Sequence, residues 1–229
     1  MTMLIAAAVV FLLIHLLIAG TRVRDAITGT IGEGPYLGLF SLASIGALVW
    51  LGFAFARARG GPGDEVFWSI VPATRHAAIG LALIGFLFMV PGLLTNSPTR
   101  VRGGGVVDSQ AAVTGMTRIT RHPFLWGAVI WAAAHLLVNG HVTAMILFGT
   151  LFLLALFGTT SIDVKRMRAL GDRYAAFKAQ TSNIPFAAII QGRQKLKLGE
   201  IWWRLLVAVI VFAIVLWAHP RLFGVNPLG

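Results

Sequence analysis

Cysteine is absent from the 229-residue chain. That excludes disulfides, thiolate metal sites, iron–sulfur clusters and thiol nucleophiles together. Any metal or cofactor ligand must come from histidine, methionine, carboxylate or backbone. Charge is also scarce: Asp, Glu, Lys and Arg make up 12% of the residues, against about 25% in soluble domains. With 57% hydrophobic residues, a soluble fold of this size has too little polar surface to cover its apolar atoms. The 15 Phe and 7 Trp exclude a disordered chain. The glycines and prolines follow no G-X-Y period, which excludes collagen. There is no tandem repeat and no low-complexity tract. Only eight acidic residues stand against nineteen basic ones, a formal charge of +11. The distribution of that excess fits the positive-inside rule and anionic headgroups, not a nucleic-acid partner.

What the chain has in quantity is long apolar runs. Stretches free of Lys, Arg, Asp and Glu cover Met1–Thr21, Gly34–Ala56, His76–Thr99 and His122–Ile162. The last is 41 residues long, about twice a single span of roughly 20. Asn139-Gly140 near its middle is a turn dipeptide, so it reads as a helical hairpin. A further span begins at about Ile201, with Arg204 placed to snorkel. The expectation is one all-α, polytopic integral membrane domain over 1–229. Its six transmembrane helices are expected at about 2–20, 36–56, 77–95, 123–138, 143–161 and 201–219. Fifteen basic residues then fall on one side and four (Arg57, Arg59, Arg75 and Arg221) on the other. This asymmetry places both termini in the periplasm of a bacterial inner membrane, with the fifteen in the cytoplasm. The first span lacks a basic n-region, so it does not read as a cleaved signal peptide. Residues 100–121, with Gly103-Gly104-Gly105, read as a flexible cytoplasmic loop. Residues 163–200 open with an amphipathic helix, its apolar positions being Val164, Met167, Leu170, Tyr174 and Phe177. That helix is expected on the inner leaflet.

The chain has no GxSxG, Walker loop or HExxH motif. All eight carboxylates lie in loops or at interfaces, so paired-carboxylate chemistry within the membrane is not expected. Histidines carry the signal. His15 sits among six apolar residues in the first span, and such intramembrane ionisable groups are costly and usually functional. His122 lies in Arg121-His122-Pro123, where Pro123 suits the first position of a helix. His135 follows 13 residues later on that helix, about 19 Å higher and about 220° round. His122 and His135 therefore cannot share one metal ion. His15 and His135 are expected to differ in height by roughly 10 Å, an offset a large planar ligand such as haem absorbs better than a compact ion. His76, His141 and His219 read as polar ends of spans near the outer interface.

Arg121-His122-Pro123, His135, Asn139-Gly140, Asp163 and Thr181-Ser182-Asn183-Ile184-Pro185-Phe186 together resemble the NnrU family. That bacterial family is linked to nitrite and nitric oxide metabolism, and its plant and cyanobacterial relatives are 15-cis-zeta-carotene isomerases. The resemblance runs from the His15 helix to Phe186. It implies haem b, with His15 and His135 as axial ligands to the iron and Arg121 and His122 as candidate catalytic residues. Two positions depart from the isomerase pattern: Ala132 replaces a cysteine, and Leu16-Leu17 replaces Ser-Gly after the first histidine. The same half is also similar to isoprenylcysteine and phospholipid methyltransferases, through Arg121-His122-Pro123, Asp163, Gly171-Asp172-Arg173-Tyr174 and Pro185. Those enzymes usually carry a Glu pair where this chain has Asp163-Val164.

Three functions follow as expectations. The first is a haem-binding inner-membrane protein with a redox-linked role in denitrification or in cis–trans isomerisation of a polyene. Its partners would be the lipid bilayer and a lipid-soluble small molecule or diatomic gas. The second is an S-adenosylmethionine-dependent methyltransferase of a lipid, with Arg121 and His122 at the cofactor carboxylate and Asp163 orienting the cofactor. The third is a non-enzymatic assembly factor or sensor with a membrane protein partner.

Overall fold

The computed structural model of the chain describes residues 1–100, 103–108 and 110–229. Ten helices follow one another among the described residues, with no strand beyond an isolated bridge between Val66 and His141. Helix α1 (Thr2–Leu12) runs into a π-helical turn at Leu13–Ile18 that carries His15. The chain then bends by 74° into the short polar helix α2 (Arg22–Ile31), whose first turn is capped by the Thr21 hydroxyl. Gly32, with φ +86°, ends it. Helices α3 (Glu33–Ala58) and α4 (Pro72–Leu94) follow, α4 opening on a proline whose missing N–H no helix needs there. A cap segment holds the one-turn α5 (Met116–Ile119). Then come α6 (Pro123–Val138), α7 (Val142–Leu170), α8 (Asp172–Gln180), the one-turn α9 (Ala187–Ile190) and α10 (Trp202–Phe223).

The all-α membrane architecture holds, but the count of spans is lower than six. Four helices (α3, α4, α7 and α10) are long and apolar enough to cross a membrane, and the bent α1–α2 pair makes a fifth if taken as one span. The expected span 123–138 forms, yet as α6 it has 16 residues. That is about 24 Å, short of the roughly 30 Å hydrocarbon core. Both its ends are fixed by packing. Pro123 blocks extension past a buried Thr120-Arg121-His122. At the other end Gly140 lies against the Trp68 backbone, and Trp68 Nε1 donates to Leu137 O at 3.1 Å.

The helices pack in the spatial order α10–α4–α6–α7–α1–α3. Small residues bring α4 and α6 together: a Cβ on Gly127 would meet Gly85 O at 2.6 Å and Met89 N at 2.6 Å. Close backbone approach of this kind is how helices associate where lipid is as apolar as their side chains. On the other flank, Leu4, Ala7, Ala8 and Phe11 of α1 interlock with Ala47, Leu51 and Ala54 of α3, and Ile146, Leu147, Leu151 and Leu154 of α7 close over them. The outward faces of α3 and α10 remain apolar; Leu42 is 71% and Trp217 67% exposed, as lipid-facing residues are. Met1 lies beside Gly63 and Gly229 beside Arg75, so both ends reach the α3–α4 connection. His76, His141 and His219 lie at this same end of the bundle, where His141 Nδ1 approaches Asp64 at 3.4 Å.

Two other expectations change. The segment before α6 is a packed cap, not a flexible loop: Met116, Thr117, Ile119 and Thr120 are all buried. Arg118 Nε donates to Glu200 Oε2 at 2.9 Å and ties α5 to the entry of α10. The Arg118 guanidinium holds the Glu200 carboxyl below the usual carboxylate range. Arg102, counted among the cytoplasmic basic residues, lies outside the described residues. The expected amphipathic helix is divided at Gly171 (φ +54°) between the end of α7 and α8. Its stripe packs on protein: Met167, Leu170, Tyr174 and Phe177 close on Val107, Ala112 and Val113, while Val164 stays exposed.

Candidate functional site

The α6–α7 hairpin returns the chain from His122 to Asp163, and there four buried polar side chains meet. Arg121 Nε donates to both Asp163 oxygens at 2.9 Å, and Nη2 to Oδ2 at 2.6 Å. His122 Nε2 lies 2.7 Å from Asp163 Oδ1, and the Tyr174 hydroxyl donates to the same oxygen at 2.7 Å. All four residues are at most 7% exposed. Burial pushes the His122 imidazole below the usual histidine range against the pull of Asp163. The Asp163 carboxylate only accepts, so the ring's Nε2–H donates to it. Burial likewise raises the Tyr174 phenol well above its ordinary value, with the Asp163 charge adding to it, so Tyr174 stays a donor. A carboxylate satisfied by a guanidinium, an imidazole and a phenol is the condition under which a buried ion pair is tolerated.

A second set of bonds stitches the two motifs to each other. Arg121 N donates to Ser182 O at 2.9 Å and Phe186 N to Ile119 O at 2.8 Å. Thr120 Oγ1 donates to Asn183 O at 2.5 Å. The Asn183 side chain accepts from Trp126 Nε1 at 3.1 Å and donates to Thr159 Oγ1 at 3.0 Å. Phe186 takes φ +63°, the one non-glycine residue at positive φ among the described residues. Arg121-His122-Pro123 and Thr181–Phe186 are thus two halves of one clamp across the ends of α6 and α7.

The structure brings Arg121 and His122 together and leaves His15 and His135 apart from them. The two membrane-level histidines share one local geometry. His15 Nδ1 lies 2.8 Å from Phe11 O, and His135 Nδ1 lies 2.8 Å from Trp131 O. A carbonyl only accepts, so each Nδ1 carries a proton, and in the neutral ring the lone pair is then on Nε2. Neither Nε2 has a hydrogen-bond partner among the described residues. Aromatic rings line both sites: Phe11 and Phe40 around His15 at 4.5 and 5.3 Å, Trp131 and Phe148 around His135 at 4.4 and 4.6 Å. A histidine with Nδ1 tied to a carbonyl and Nε2 free is the form that ligates metals, so these two side chains would suit holding a metal-bearing prosthetic group. The π-helical turn at His15 is an irregularity of the kind frequent at functional sites.

The two helices flank α7, α1 through Ile146, Leu147, Leu151 and Leu154, and α6 through Phe148. Gly20 meets Ser161 and His135 meets Phe148. Counting along both helices puts the imidazoles about 12 Å apart in height. They do not face each other directly; α1 and α6 each pack on α7 and at most graze one another.

Asp163 and Tyr174 complete the site around Arg121; the methyltransferase resemblance groups Asp163 with Arg121 and His122 around a cofactor, but the direct bonds among them were not read from the sequence. A signal existed. Asp163 is the first charged residue after a 41-residue uncharged stretch, and a carboxylate at the base of a span calls for a cation. About 18 residues up α6 and 22 down α7 return the chain to the level of Arg121. The orienting role that the methyltransferase resemblance gives Asp163 meets a carboxylate whose oxygens are already taken by three donors.

Comparison with known proteins agrees with the motifs. The chain is 45% identical over 83 residues to the chloroplastic 15-cis-zeta-carotene isomerase of Zea mays, covering 36% of this chain and 23% of that protein. It is 32% identical over 158 residues to the chloroplastic 15-cis-zeta-carotene isomerase of Arabidopsis thaliana, covering 66% of this chain and 42% of that protein. The chain thus spans less than half the length of these curated relatives. No solved structure matches it. A family model described as NnrU protein matches residues 3–227, nearly the whole length, and the chain belongs to the NnrU family.

Proposed function

We propose that this chain binds haem b within the membrane and isomerises a cis double bond of a lipid-soluble polyene of the zeta-carotene kind. The observation that carries this reading is that His15 and His135, the two histidines at membrane level, each commit Nδ1–H to an i−4 carbonyl and leave Nε2 without a partner among the described residues, a contact that His76 repeats only at the end of the bundle. The similarity to zeta-carotene isomerases supports the substrate class. His15 and His135 would hold the group. When bound it supplies an iron whose ligand exchange and electron density act on a double bond. The chain's own task is then to fix imidazole tautomers and exclude water. Phe11, Phe40, Trp131 and Phe148 do the second and give flat apolar surfaces to a flat apolar ligand. Isomerisation gains and loses no atom, so no proton relay is needed. Accordingly, no carboxylate bonds either histidine among the described residues. Arg121, His122, Asp163 and Tyr174 have a positioning role: they lock the start of α6, which carries His135.

The test is a reduced-minus-oxidised absorption spectrum of the purified full chain with a haem assay on the same sample. About one haem per chain with a low-spin b-type spectrum is expected. His15→Ala and His135→Ala should each lose most of the haem, and with it turnover of a 15-cis polyene in vesicles. Full haem content in both variants overturns the ligand assignment.

We place both termini on the periplasmic side of a bacterial inner membrane, from the fifteen-to-four division of basic residues. Because the chain has no cysteine, single-cysteine variants report cleanly. Thr2→Cys and Asn226→Cys should react with an impermeant maleimide on intact cells, and Lys195→Cys only after lysis. The inverse pattern would reverse the orientation.

A further inference from the structure

A shallow, largely open pocket of about 320 Å³ lies between α8 and α9 beside the clamp. Its polar lining includes Arg121, Lys178, Ser182, Asn183, Gln191 and Arg193, and no carboxylate lines it. Its three cations are not equally spent. Arg121 gives Nε and Nη2 to Asp163, but its Nη1 has no partner among the described residues. Lys178 makes no hydrogen bond or ion pair among them. Arg193 is pinned by four bonds, to Ala179 O at 2.7 Å, to Thr181 O at 2.8 Å and to Gln191 Oε1 at 2.9 and 2.6 Å. Every one of those acceptors is neutral, so the guanidinium is held in place with its charge uncancelled. The Ser182 hydroxyl accepts from Ala188 N and keeps its own proton to give. Against the single charge of Asp163, three fixed or free cations leave an excess of two positive charges at one concavity.

We infer that this pocket binds a phosphate group. Planar guanidinium donors beside an ammonium and a hydroxyl match the oxygens of a phosphate monoester or diester. The rim favours a lipid headgroup as the source. Ile184, which lines the pocket, is 65% exposed and Ile190 on α9 is 83% exposed, so an acyl chain leaving the headgroup meets apolar surface. Free phosphate offers the same oxygens without using that rim. The site is separate from His15 and His135 and does not depend on haem.

The probes are dioleoylphosphatidylglycerol, dioleoylphosphatidylcholine and inorganic phosphate, added to the purified full-length chain in detergent. Bound lipid is counted by native mass spectrometry, and phosphate binding is read as a thermal shift against chloride at equal ionic strength. One phosphatidylglycerol per chain should bind ahead of the rest. Its half-saturating concentration should rise at least ten-fold in Lys178→Gln/Arg193→Gln. The charge-matched Arg22→Gln/Lys195→Gln, altered away from the pocket, should bind as the parent does. Lys178→Gln alone removes no hydrogen bond or ion pair among the described residues and should still weaken binding several-fold, which guards against misfolding of the double variant. A thermal shift by phosphate that needs Lys178 and Arg193, with no preference among lipids, would identify free phosphate as the source. Equal loss in both double variants, or loss in neither, overturns the site.

Discussion

Asp163→Ala should destabilise the protein by about 3–5 kcal/mol, the penalty of stranding a buried cation whose partner has been removed. The Arg121 guanidinium has its Nε and Nη2 on that carboxylate, and His122 and Tyr174 lose their common acceptor with it. Thermal unfolding in detergent reads the effect. Asp163→Asn keeps the shape and part of the hydrogen bonding but not the charge, and should fall between parent and Asp163→Ala. Replacing the pair together, as Arg121→Met/Asp163→Leu, removes the unpaired charge and should recover much of the loss, a non-additivity that a double-mutant cycle exposes. Simple additivity of the two single variants would show that the pair is not coupled and that the clamp is held by backbone bonds alone.

Gly127→Ala should cost about 1–3 kcal/mol, although alanine is the better helix former. The added Cβ would lie 2.5 Å from Met89 Cγ and 2.6 Å from both Gly85 O and Met89 N. Two of those three atoms are backbone, so α4 and α6 must separate. Gly149→Ala on α7 is the matched comparison, since nothing lies within 4 Å of its Cβ position. There helix propensity acts alone and stability should rise by up to about 1 kcal/mol. Opposite signs for the same substitution on two helices of one bundle are the expected result. A loss at Gly149 equal to that at Gly127 would deny the close approach of α4 and α6.

The chemistry of the site was only partly legible. Arg121, His122 and His135 stood out because polar residues next to or within apolar runs are rare. Asp163 stood out only through family resemblance, as a carboxylate that orients a cofactor, because the Arg121 it pairs with lies 42 residues away. Tyr174 read as one apolar position of a stripe, and the periodicity was real. Its hydroxyl partner is a matter of how α8 folds back at Gly171, which periodicity does not encode. Lys178 and Arg193 counted only toward a charge total until the turn at 181–186 set them around one pocket.

The amino-acid sequence alone determined the class of molecule and the order of its helices. Apolar run length, charge scarcity and the sidedness of basic residues are local quantities, summed along the chain and judged against a bilayer of fixed thickness. It also determined which histidines sit within membrane helices. Tertiary structure decided the rest. It shortened α6 by burying the residues before Pro123 and wedging Gly140 against Trp68. It joined Arg121-His122 to Asp163 and Tyr174, and it turned an expected flexible loop into a packed cap. These outcomes depend on which helix faces meet and how closely, and that is settled by shape and by the pairing of buried charges across long sequence separations.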